Sequence, residues 1–194
     1  HASHAGQVKG MFIMGENPAM SDPDASHARH ALASLDMLVV QDLFLTETAA
    51  LADVVLPASA FAEKTGSFTN TDRVLQLGRQ VLAPPGDARL DLWILVQMAQ
   101  QLGLDWSAYG PVSGDGEAAV ARVFDEMRHT MPSIAGITWQ RLQREGAVTY
   151  PCMAEGDAGE AVVFVDHFPT ASGKARFVPA DIIPADERPD ADYP

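Results

Sequence analysis

The sequence predicts an α/β protein: a doubly wound, mostly parallel sheet flanked by helices, with a small C-terminal β-hairpin segment. Three observations carry this expectation. Residues 8–14, 37–41 and 53–57 are short, near-continuous apolar runs, as strands buried on both faces require. Helical patterns separate them, and a β-α-β-α-β alternation calls for right-handed crossovers and a parallel sheet. Beyond residue 161 the pattern changes to two extended runs, 162–168 and 174–178, on either side of a Ser172-Gly173 turn.

The first strand, Val8-Lys-Gly-Met-Phe-Ile-Met14, empties at Gly15 into the loop Glu16-Asn17-Pro18. A crossover helix then starts at Asp22-Pro23, with Asp22 as cap, Pro23 preset for the first turn, and Ala28, Ala31, Leu32 and Leu35 on one apolar face. The second strand covers 37–41, Thr46 opens a short Ala-rich helix, and the third strand ends at Pro57. A polar loop, 67–72, precedes a strand-like run, 73–77. Pro84-Pro85-Gly86 then introduces a helix from about 89 to 102 that is apolar nearly all round. A second amphipathic helix, 113–128, carries Val120, Val123, Phe124 and Met127 on one stripe, and Thr138 caps a third that ends at Gly146. The domain division expected is an α/β domain over 1–150, a hairpin extension over 151–182, and a Pro- and Asp-rich linker over 183–194 toward a further domain.

The balance of charge narrows the partners. Thirteen Lys and Arg against 26 Asp and Glu give a formal charge of −13, which repels phosphate backbones and anionic lipid surfaces. Neither nucleic acid nor membrane is an expected partner, and no apolar run approaches a membrane span. Cys152 is the single cysteine and no signal peptide is apparent, so a reducing cytoplasm is the expected location. With no initiator Met and linker-like ends, the sequence reads as a stretch of a longer chain.

In an open parallel sheet, ligands sit at the carboxyl ends of the strands. Here those ends are Gly15-Glu16-Asn17-Pro18, Gln41-Asp42, and the run Glu63-Lys64-Thr65-Gly66 after the third strand. An acid such as Asp42 closing the second strand is where nucleotide-binding α/β units hold ribose hydroxyls. A strand-terminal Asp also caps turns, and no G-x-G-x-x-G is present, so spacing alone leaves both readings open. Lys64 is a candidate to neutralise a phosphate, and Asp91 to accept hydrogen bonds from a guanine edge. A solvated lysine and a helix-start Asp favoured by the dipole are the plainer explanations. His27 and His30 share a helix face without a third ligand, and Cys152 has no histidine partner implied nearby. No catalytic constellation and no metal site can be assembled.

Taken in order, Met14-Gly-Glu-Asn-Pro18, Val39-Val-Gln-Asp42, Thr46-Glu-Thr-Ala49, Ala52-Asp-Val-Val-Leu-Pro57 and Glu63-Lys-Thr-Gly66 closely resemble the bis(molybdopterin guanine dinucleotide) oxidoreductases. Phe68-Thr-Asn-Thr-Asp-Arg73, Asp91-Leu-Trp93, Tyr150-Pro-Cys152 and Gly173-Lys-Ala-Arg-Phe177 resemble the alpha (catalytic) subunit of the formate dehydrogenase branch, over nearly the whole chain. The resemblance implies the third of four domains, a doubly wound unit holding one of two pterin guanine dinucleotides of a molybdenum cofactor. It carries cofactor contacts onto Asn17, Gln41, Asp42, Lys64 and Asp91, with Gly15 and Thr46 beside them. The implied roles are Asn17 and Gln41 on ribose or pyrophosphate, Asp42 on ribose hydroxyls, Lys64 on negative charge and Asp91 on guanine donors. For the intact enzyme it implies formate oxidation to carbon dioxide, with electrons passing through an iron–sulfur cluster, held in an earlier part of the chain, to electron-transfer subunits. By itself this stretch is expected to turn over no formate. The rival expectations are a sister enzyme such as nitrate reductase, a molybdenum-free subunit of NADH–quinone oxidoreductase, and a free-standing nucleotide-binding module. The full set of Asn17, Gln41, Asp42, Lys64 and Asp91 speaks against loss of the cofactor.

Overall fold

The computed structural model describes residues 2–182 and 191. Two compact units divide the chain, residues 1–160 and 161–194. The first is a mixed α/β unit with two small sheets. Strands β1 (Gly10–Met14), β2 (Met37–Asp42) and β3 (Val54–Pro57) form a parallel sheet in the order β1-β2-β3. Phe12, Val39 and Val54 share one register position, and Met14, Gln41 and Leu56 the next but one, so all six lie on one face. Ile13, Leu38 and Val40 point to the opposite face and are buried with Ala19, Leu32 and Ala49 from the two crossovers. Because the strands are added in one direction, right-handed crossovers put both connections on that same face. The reversal of direction that makes a sheet doubly wound is not seen among the described residues.

The first crossover holds two helices, α1 (Pro18–Ser21) and α2 (Ala25–Ala33). Asp24, not the expected Asp22, caps α2: its carboxylate accepts from the His27 amide at 2.9 Å, while Asp22 accepts from the Asp24 amide and shapes the turn before it. Pro23 therefore lies outside the helix. The expected Ala-rich helix after Thr46 is one 3-10 turn, Ala49–Leu51, started by the Thr46 hydroxyl accepting from the Ala49 amide.

The strand-like run near residue 75 does not extend the parallel sheet. β4 (Gly66–Thr69), β5 (Val74–Gly78) and β6 (Ala147–Thr149) make a separate antiparallel sheet. Helices α3 (Asp91–Gln101), α4 (Glu117–Thr130) and α5 (Trp139–Glu145) complete the unit. α4 begins four residues later than its apolar stripe predicts, because Gly116 at φ 78° ends the preceding turn and Asp115 accepts from the Glu117 amide. Leu75, Phe124, Ile137, Trp139, Leu142 and Cys152 share a core, with the Phe124 and Trp139 rings edge-on at 5.6 Å. Residues 150–160 pack into this first unit, held by Arg141: its guanidinium donates to the carbonyls of Gly136, Glu155 and Asp157, to the Cys152 sulfur and to Glu145.

In the second unit the expected hairpin is not formed. No strand lies within 161–182. The turn is there, with the Phe168 amide bonded to the Gly173 carbonyl at 3.0 Å and Thr170 donating to the Lys174 carbonyl, but the flanking runs do not pair. Val162, Val165, Phe177 and Val178 are exposed, so a two-stranded ribbon would have no apolar partner to bury. The expected linker over 183–194 lies, except for Ala191, outside the described residues.

Candidate functional site

The carboxyl ends of β1, β2 and β3 bring most of the candidate residues into two linked clusters. Gly15 leaves β1 at φ 64°, a left-handed conformation that glycine adopts without cost, and its amide donates to the Gln41 carbonyl at 2.9 Å. A Cβ at Gly15 would meet nothing within 4 Å, so the backbone there faces open space.

Asn17 joins the first strand loop to the second. Its Nδ2 donates to Glu47 at 2.8 Å, and its Oδ1 accepts from the Thr48 amide and hydroxyl at 3.2 and 2.8 Å. The Thr48 hydroxyl, fully buried, accepts in turn from the Ala19 amide. The Asn17 amide holds the Glu47 carboxyl below its usual range, helped by its own backbone N–H and by the charge of Arg29. Asp42 turns back on its own loop, accepting from the Leu43 amide at 2.7 Å. Thr46 is occupied in starting the 3-10 turn.

The second cluster is built by three separate elements. Gln41 on β2 is fully buried, and its Nε2 donates to Asp91 Oδ1 at 2.9 Å at the start of α3. The other oxygen of Asp91 takes the Lys64 ammonium, which also donates to the Ser59 carbonyl at 3.0 Å. Lys64 is thus not a solvated surface charge: both side chains of the pair are under a third exposed. Gln41 Oε1 and Ser59 Oγ are buried without a hydrogen-bond partner, which folded chains avoid unless a ligand or water completes the site. Beside the ion pair a cavity of about 250 Å³ is lined by Lys64, Thr65, Phe68, Asp91, Asp115 and Val120. The Thr65 hydroxyl, 2.6 Å from Asp115, is the main cause that holds this carboxyl below its usual range.

Sequence reasoning missed Glu47, Thr48, Ser59 and Asp115. Thr48 left a faint signal, a polar residue inside an Ala-rich turn; Ser59 left none, standing between two alanines. No group of three or more potential metal-ligating side chains occurs among the described residues, and no helix there is long and apolar enough to cross a membrane. Cys152 is buried against Arg141 and the α5 core.

This arrangement offers amide, carboxylate and ammonium groups at the strand ends of a parallel sheet. A family model for the molybdopterin oxidoreductases matches residues 1–101. The alpha subunit of an F420-dependent formate dehydrogenase from Methanocaldococcus jannaschii is 46% identical over 187 residues, 96% of this chain and 27% of that protein. Formate dehydrogenase H of Escherichia coli is 32% identical over 197 residues, 100% of this chain and 26% of that protein. The chain therefore spans about a quarter of the length of these curated relatives. Among solved structures, acetylene hydratase from Pelobacter acetylenicus superposes with a TM-score of 0.56 at 23% identity, over 86% of this chain and 21% of that one.

Proposed function

Since the chain belongs to the molybdopterin oxidoreductase family, we propose that it is the part of a formate dehydrogenase catalytic subunit that grips one guanine dinucleotide arm of a molybdenum bis-pterin cofactor. One observation carries this most: Gln41, Lys64 and Asp91, from three separate elements, converge at the strand ends where Gln41 Oε1 and Ser59 Oγ are buried without partners. The residues fit the group. Asp42 and Asp91 accept from ribose hydroxyls and the guanine N–H edge, Lys64 balances negative charge, and Asn17 and Gln41 serve ribose or pyrophosphate through amides that both donate and accept. The open backbone at Gly15 allows close approach to a bulky anion.

When bound, the cofactor supplies the two-electron chemistry that turns formate into carbon dioxide. This chain's own residues do not touch formate in the proposed scheme. They bind and orient: the Asn17–Thr48 bonds lock the first loop to the second, and the Gln41–Asp91–Lys64 network fixes the start of α3 against the end of β2. In the proposed scheme an iron–sulfur cluster held elsewhere in the polypeptide would supply the route by which electrons leave toward electron-transfer subunits. The experiment is a molybdenum assay of the full-length protein, purified without oxygen, together with formate-dependent dye reduction. Molybdenum with formate activity is the expected result; molybdenum without it points to another enzyme of the family, and no molybdenum overturns the proposal.

A further inference from the structure

The Lys64–Asp91 pair depends on groups outside itself. Its two side chains are still 29 and 27% exposed. An ion pair that open gains little against the side-chain entropy of a lysine, so its geometry depends on how firmly the backbone beneath each partner is fixed. Lys64 sits in extended backbone just before β4, and Asp91 is the first residue of α3. One turn, Asp115-Gly116 ahead of α4, reaches the chain neighbours of both.

On the lysine side the contact is polar. The Thr65 amide donates to the Asp115 carbonyl at 3.2 Å, and the Thr65 hydroxyl donates to Asp115 Oδ2 at 2.6 Å. The same hydroxyl accepts from the Gln80 amide at 3.1 Å. Asp115 Oδ1 accepts from the Glu117 amide at 3.1 Å, so the carboxylate is divided, one oxygen on its own turn and one on Thr65. On the aspartate side the contact is apolar. Gly116 lies so near Leu90, the residue before Asp91, that a Cβ there would stand 2.9 Å from Leu90 Cδ1. Lys64, Thr65, Leu90, Asp91, Asp115 and Gly116 all line one cavity of about 250 Å³.

We propose that Thr65 and Asp115 are positioning residues: through the Asp115-Gly116 turn they set the span between Lys64 and Asp91, and so how firmly the cofactor arm is retained. Neither needs to touch the cofactor. The division of the carboxylate separates this role from plain capping of α4. Holding the Glu117 amide takes one oxygen, and a serine hydroxyl does the same more weakly. The second oxygen joins two elements 50 positions apart, directly beside Lys64. Charged groups that bind a ligand keep their geometry only when the residues behind them are themselves locked by packing and hydrogen bonds. The effect on retention rests on the proposed cofactor reading, whereas the bracing of Lys64 does not.

The test uses the full-length catalytic subunit, purified without oxygen, as wild type and three variants. Thr65→Val keeps the side-chain shape without the hydroxyl. Asp115→Ser keeps an acceptor for the Glu117 amide but no second oxygen for Thr65, and Thr65→Ser keeps the bond as the conservative rescue. In protein from molybdate-starved cells, pulse acetylation with acetic anhydride reads Lys64 against Lys9, whose side chain is 74% exposed. Alkylation reads Cys152, buried with Phe124 and Trp139 in the other core. The proposal expects Lys64 to acetylate at least about fivefold faster than wild type in Thr65→Val and Asp115→Ser, and at the wild-type rate in Thr65→Ser, with Lys9 and Cys152 unchanged. In protein from molybdate-fed cells the first two variants are expected to lose molybdenum on dilution about tenfold faster, and Thr65→Ser at the wild-type rate. Lys64 no faster in Thr65→Val and Asp115→Ser overturns the proposal. So does Cys152 labelling along with it, since the whole fold has then loosened, and so does Thr65→Ser behaving like Thr65→Val. Faster Lys64 with unchanged molybdenum loss overturns the link to retention. Wild type without molybdenum refutes the cofactor reading instead, and the Lys64 rates still decide whether the brace exists.

Discussion

Asp42 and Thr65 show how differently two polar side chains at one sheet end are used. Asp42 is held by its own loop, with carboxylate left to meet a ligand, so Asp42→Ala is expected to lower molybdenum occupancy of the full-length protein about tenfold while its melting temperature changes little. Unchanged molybdenum content counts against Asp42 as a contact. Thr65 instead tunes a neighbour. Its hydroxyl depresses the Asp115 pKa, so this bond contributes stability above the usual aspartate range, and the contribution is lost as pH falls through the lowered value. Thr65→Val is expected to cost about 1 kcal/mol near neutral pH, discounted for partial exposure of Asp115. In denaturant titrations the gap from wild type should narrow in acid, leaving only the share due to the Gln80 amide, which donates to the same hydroxyl. At this scale the sequence was a poor guide to partners. Asn17, Gln41, Lys64 and Asp91 were singled out one by one. That Lys64 and Asp91 pair with each other, and that Thr48 receives Asn17, depends on contacts across 27 and 31 positions, which no local pattern encodes.

Elements were legible wherever local chemistry decides them. The three parallel strands and the helices after Leu90 and Thr138 follow from apolar runs and caps. Boundaries shifted where two capping residues compete, as with Asp22 and Asp24. The hairpin expectation failed because turn chemistry at Ser172-Gly173 cannot by itself hold two strands together. The stretch 150–160, expected to join the hairpin extension, packs on the first unit instead, because Arg141 on α5, 11 to 16 positions before its partners, binds its carbonyls and the Cys152 sulfur. Close backbone approach adds a second anchor there: a Cβ on Gly136 would stand 2.2 to 2.7 Å from the Ala154 backbone. Gly136→Ala should therefore push this loop off the core and cost roughly 3 kcal/mol, read as a loss of several degrees in melting temperature. A variant as stable as wild type would mean that the loop gives way freely.

For the molecule as a whole, class and family were both within reach of the sequence. The arrangement of two sheets was not, because β5 carries the same apolar signature whether its neighbour is parallel or antiparallel. Pairing distance along the chain differs sharply between the sheets. β1 meets β2 after 27 positions and β2 meets β3 after 15, but Val74 meets Thr149 only after 75. Closing the longer loop costs about 1 kcal/mol more in chain entropy. The order of assembly follows: the parallel sheet is expected to form early, while the ribosome is still delivering the rest, and β6 to close the antiparallel sheet last. Pulse-labelling during refolding should find amides of β2 protected before those of β6, and simultaneous protection would refute that order. A chain arrested before residue 147 would then already display the loops at the strand ends of the parallel sheet, yet lack the strand that seals the core around Leu75.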